Sequence, residues 1–158
     1  MQNTIINSLN GENLNFRYLK EEPGQVIVHM GMRMNTGSAD IYIDHRIKAH
    51  QVIIIAIPAL IIPENMRKKV AEYVNLANNR LILGNLEVNM INGEVRCRYA
   101  FVYDPAFPLS KKIFLRNLYT CIQMLDDLLP GIMTVTYGHI EPDIALDQCM
   151  DIVNPRLN

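Results

Sequence analysis

The chain has 158 residues, 49% apolar and 20% charged, with fifteen basic against sixteen acidic side chains and a net charge of −1. That is the size of one domain, long enough to bury roughly 68–70% of its unfolded surface without disulfide or metal staples. The charge balance and the scatter of the basic residues remove the electrostatic case for nucleic acid, which needs a basic stripe to displace phosphate counterions.

Ile5, Ile6 and Leu9 fall at helical spacing and Asn10-Gly11 supplies a stop, so residues 2–10 read as a short helix. Leu14, Phe16 and Tyr18 lie two apart, as in an edge strand, and Pro23-Gly24 turns the chain. Val26, Val28, Met30, Met32 and Met34 then alternate, Asn35-Thr36-Gly37-Ser38 turns, and Ile41 and Ile43 continue with Asp40, Tyr42 and Asp44 on the other face. Residues 51–57 are apolar on both faces, which predicts a strand in the middle of a sheet, covered by helices on at least one side. Pro63 opens a helix over 63–78 whose stripe is Met66, Val70, Tyr73, Val74 and Ala77, with Asn78-Asn79 favouring a left-handed stop.

Residues 86–103 predict a β-hairpin. Asn92-Gly93 is the signature of a two-residue type I′ turn, and such a turn sets the register. Val88 then faces Cys97, Glu87 faces Arg98 and Leu86 faces Tyr99, with Leu86, Val88, Met90, Val95, Cys97 and Tyr99 on one apolar face. Ser110 caps a long helix to about Leu129, with Phe114, Leu118, Cys121, Ile122, Leu125 and Leu129 as its main stripe. The apolar arc is wide enough to suggest cover from more than one sheet face. Pro130-Gly131 breaks that helix; residues 132–138 fit either strand or helix; Pro142 to Met150 form a last helix with Ile144, Ala145 and Cys149 inward.

The chain lacks a phosphate-binding glycine loop, a nucleophile elbow and an HExxH pair. Cys97, Cys121 and Cys149 have no zinc or CxxC spacing and read as reduced core thiols, and no secretory leader or membrane span is apparent, so a cytoplasmic location is expected. No cofactor is expected. Asp44, His45 and His50, placed in a turn, and the His139–Asp143 segment are the nearest approaches to a metal or catalytic cluster, and they carry the alternative reading of a small metal-dependent enzyme or metal protein. Asp126-Asp127 reads as solvated helix surface, because adjacent helical side chains diverge by about 100°. Tyr119, on the polar face of the long helix, is a candidate contact for a protein partner.

The order helix, three-stranded meander, helix, hairpin, long helix (α-βββ-α-ββ-α) gives an α+β class with an antiparallel sheet. It resembles the type III secretion chaperone-like fold. Over residues 52–146 the chain resembles the bacterial YbjN family of sensory transduction regulators: Ile61-Ile62-Pro63-Glu64-Asn65-Met66-Arg67, the helix ending Val74-Asn75-Leu76-Ala77-Asn78, the hairpin around Asn92-Gly93-Glu94-Val95-Arg96, and Val135-Thr136-Tyr137-Gly138 leading to Pro142-Asp143-Ile144-Ala145-Leu146. The resemblance implies a non-enzymatic regulatory domain that holds a protein partner, through a sheet edge or the arc of the long helix, or that forms a homodimer. It also implies a helix over 132–137 and brings no active site.

Overall fold

A computed structural model describes residues 4–153, with side chains placed for residues 4–150. The chain folds as α1 (Thr4–Gly11), β1 (Arg17–Glu22), β2 (Gln25–Met34), β3 (Gly37–Arg46), β4 (Gln51–Pro58), α2 (Arg67–Arg80), β5 (Asn85–Val88), β6 (Val95–Val102), α3 (Lys111–Gly138) and α4 (Pro142–Val153). The six strands make one antiparallel sheet in the order β1-β2-β3-β4-β6-β5. The α+β class and the antiparallel sheet are as expected. The edge strand begins at Arg17 rather than Leu14 and makes the meander four-stranded, and α4 follows α3.

All helices lie on one face. Val28, Ile41, Ile43, Val52, Ile54, Ala56, Leu86, Val95 and Cys97 point to it and are buried. Pro63 leads into a 3-10 turn over Glu64–Met66, and the α-helix begins only at Arg67; Met66, the α2 stripe from Val70 to Ala77 and the α3 stripe from Phe114 to Leu129 are buried as the periodicity predicts. The wide arc of α3 has a different cause from the one expected. It packs on one sheet face and on α1, α2 and α4. Ser110 accepts from the Ile113 amide and caps α3. On α4, Ala145, Leu146 and Cys149 are buried, whereas Ile144 is half exposed.

Three local readings are corrected. Helix α3 does not break at Pro130-Gly131 but runs through to Gly138, which places 132–138 in helix. Gly131 is what lets the helix lie against Tyr73: a Cβ there would come within 2.2 Å of Tyr73 Oη, which donates to the Leu128 carbonyl at 3.0 Å. Packing and that hydrogen bond outweigh the amide lost at Pro130. Helix α2 ends at Arg80 with Leu81 extended, not at a left-handed Asn.

The hairpin register differs by two residues. Val88 pairs Val95, Glu87 pairs Arg96 and Leu86 pairs Cys97. The side chains keep their faces, since the strand period is two. Residues 89–94 form the loop because segment 61–62 competes for it: Ile62 donates to the Gly93 carbonyl at 2.8 Å, Ile61 bridges Glu94, and Arg67 donates to the Met90 and Ile91 carbonyls. Only Gly93 has positive φ in the turn, where a type I′ turn needs two such residues. Met90 is left exposed as a result.

Candidate functional site

The structure brings His45 and His50 together against Tyr103, turns Asp44 away from them and disperses the His139–Asp143 group. His45 is not in a turn. It sits in β3 on the helix-covered face, 6% exposed, with Nε2 2.8 Å from the Tyr103 hydroxyl and no partner for Nδ1 among the described residues. Burial holds its imidazole below the usual range, against the pull of Asp44 and with the help of His50. Asp44 faces the opposite side of the sheet, where it accepts from Gln25 and Arg46. His50 packs edge-on against Tyr103. His139 is the left-handed cap of α3, Glu141 pairs with Lys69 at 2.7 Å, and Asp143 opens α4. Among the described residues no group of three or more His, Cys, Asp or Glu converges on a point where a metal could sit.

Asp126 is buried structure rather than solvated surface. Its carboxylate reaches the β2–β3 turn and accepts from the Asn35 amide at 2.9 Å, Asn35 Nδ2 at 2.8 Å, the Thr36 amide at 2.8 Å and the Thr36 hydroxyl. Burial opposes its charge, yet the four hydrogen bonds prevail and hold the carboxyl below the ordinary range. Asp127 points away and accepts from Gln123. The three cysteines are free and buried. Cys97 and Cys121 touch at 3.4 Å, and that contact together with burial pushes the Cys97 thiol far up, so it is no nucleophile.

The two sheet edges are guarded. Asn78 on α2 accepts from the Leu86 amide at 2.8 Å and donates to the Leu86 carbonyl at 3.0 Å, so the outer edge of β5 is already occupied. Strand β1 is charged and interrupted by a bulge between Tyr18 and Lys20. Both are devices against added strands.

An open cleft lies instead beside α3. Its volume is about 700 Å³, within the range of ligand sites. Arg116, Tyr119, Thr120, Gln123 and Asp127 line it from α3 at helical spacing, with Met124 and Leu128 of the same helix and Met150 of α4. The other wall is the loop Leu81-Ile82-Leu83. Gly84 holds that loop down with φ of 69°, where a Cβ would meet the Met124 methyl at 2.6 Å. Ile82 is 95% exposed and Leu83 56%. Arg80 is tied to Asp147 at 2.7 Å, but Arg116 makes no hydrogen bond or ion pair with a described residue. Tyr119, the residue singled out from sequence, stands on this cleft. Sequence reasoning misses the loop opposite it, although three aliphatics between a helix end and a glycine are an available signal.

The fold matches known structures. YbjN from E. coli, a candidate transcription regulator, superposes with a TM-score of 0.56 over 86% of this chain and 90% of its own, at 10% identity. This chain has the YbjN fold. An uncharacterized protein from Methanothermobacter thermautotrophicus shares it, with a TM-score of 0.59 over 84% of this chain and 96% of its own, at 14% identity. No family model matches the sequence, and no curated protein does. The YbjN likeness is therefore one of fold. No helix among the described residues is long and apolar enough to cross a membrane.

Proposed function

We propose that this chain is a non-enzymatic regulatory domain that holds an apolar segment of a protein partner in the cleft between Tyr119 and Ile82-Leu83. The observation that carries the reading is the pair of consecutive aliphatic side chains left in solvent on a loop pinned by Gly84 and rimmed by polar groups. Apolar patches of that kind mark sites of protein association. The guarded edges of β1 and β5 turn the choice away from strand addition, and the inner arc of α3 is spent on the core. The YbjN fold agrees with a regulatory role.

Photo-crosslinking tests it. With p-benzoylphenylalanine in place of Tyr119, the full chain should trap a discrete protein in its native cells. Ile82→Asp should abolish the adduct without unfolding the chain, since the side chain is exposed. Ile113→Asp, also on an exposed position of α3 but outside the cleft, should leave it intact. An adduct indifferent to Ile82→Asp would overturn the reading.

A further inference from the structure

The sheet face away from the helices carries an unmet demand for burial. An antiparallel sheet with one solvated face alternates apolar and polar residues. Strand β4 does not, for Ile53, Ile55 and Ile57 point to the open side in its central column. Beside them stand Tyr42 and Ile27 on one hand and Ala100 and Val102 on the other, the last 72% exposed. No described segment of the chain packs over the isoleucines, which are only half-buried by their own neighbours in the sheet. We infer that a second copy of this chain covers this face, sheet against sheet about a two-fold axis along β4.

The isoleucine column sets the orientation, and the charges on either side of it are complementary in that arrangement. Asp40 pairs with Ile57 across β3–β4, and the β4–β6 register, continued by one step, sets Arg96 on the other flank of Ile57. A two-fold axis along β4 stacks each isoleucine on its own copy. It exchanges the strands either side, so that Asp40 of one protomer lies over the partner's Arg96, and Tyr42 over the partner's Arg98. Both members of each pair stand one strand, about 4.8 Å, from the axis, and the gap of about 10 Å between packed sheets is one that arginine side chains span. An axis across β4 would instead set Gln51 on Ile57 and lose the continuous apolar column. The face measures roughly 600 Å² in projection, close to the half-interface of a standard complex. Each charge also has a partner in its own chain, His29 for Asp40 and the half-buried Glu87 for Arg96, so the charge from the second copy extends an existing pair rather than replacing it.

Charge exchange between two variants of the full chain tests the geometry by sedimentation velocity. The wild type should sediment as a dimer. Asp40→Lys alone sets Lys against the partner's Arg96 twice, and Arg96→Glu alone sets Glu against the partner's Asp40 twice. Each should weaken self-association by roughly 100-fold. An equimolar mixture should recover the dimer, because both contacts are then of opposite sign. Complementation of this kind cannot arise from damage to the fold. A monomeric wild type, a mixture that stays monomeric, or single variants that dimerise like wild type would each overturn the inference.

Discussion

Replacing Asp126 with Ala should cost about 3–4 kcal/mol of stability. The side chain is 6% exposed and accepts four hydrogen bonds, two from backbone amides and two from side chains of Asn35 and Thr36. Hydrogen bonds to a charged group are worth roughly 1.5–3 kcal/mol each, and truncation strands donors that cost about 1–3 kcal/mol when they stay dry. The simple sum overshoots, since the four act as a unit and Asn35 can turn to water, its residue being exposed. Urea unfolding followed by circular dichroism reads the change, because the chain has no tryptophan. With a slope of roughly 1–3 kcal/mol per molar urea, the midpoint should fall by more than about 1 M. The pH dependence gives a second reading. The folded carboxyl lies below its unfolded value near 3.9, so the unfolded state takes up the proton first as pH falls. The contribution is complete at neutral pH and disappears as pH drops from about 4 through the folded pKa, where both states are protonated. The gap between wild type and Asp126→Asn should close over that interval. A stability change under about 0.5 kcal/mol, or a gap independent of pH, would refute the account.

Two further outcomes follow from buried groups. His45 is held below its unfolded pKa near 6.5, so unfolding takes up a proton there and stability should decline as pH falls from about 6.5 towards the folded value. His45→Gln should flatten the urea midpoint between pH 6.5 and 5; an unchanged slope would show that another group titrates. Gly131→Ala should destabilise by about 1–3 kcal/mol in spite of alanine's better helix propensity, since the new methyl group meets the Tyr73 ring. Thermal unfolding at or above the wild-type temperature would show that Tyr73 gives way freely.

The elements whose burial is periodic were legible in the sequence. The stripes of α2 and α3, the alternation of β2 and β3 and the placement of β4 follow from spacing alone, because side-chain direction is set by local geometry. What failed depends on distant partners. Asn92-Gly93 is a sound local turn signal, but segment 61–62 and Arg67 take over the loop and move the register by two. Pro130 ends most helices, yet here Tyr73 meets Gly131 and α3 continues. Asp126 resembles its neighbour Asp127 until the β2–β3 turn, some ninety residues earlier, is brought beneath it. Tyr119 was visible as an aromatic on a polar face. Its cleft was not, because the opposite wall comes from a loop whose position is set by the φ of Gly84 and by contacts to α3 and β6.

Asn78 has a consequence for how the hairpin comes to be what it is. Residues 86–103 carry two self-consistent registers, two residues apart, with the same faces in core and solvent. Neither alternation nor charge pairing separates them, since Glu87 meets an arginine in both. The amide of Asn78 touches Leu86 at both its amide and its carbonyl, and Arg67 holds the far end of the same hairpin at Met90 and Ile91. Helix α2 is thus a gauge laid along the last strand, read at two points a full helix length apart. The alignment of the hairpin is decided outside it, by a helix that precedes it in the chain.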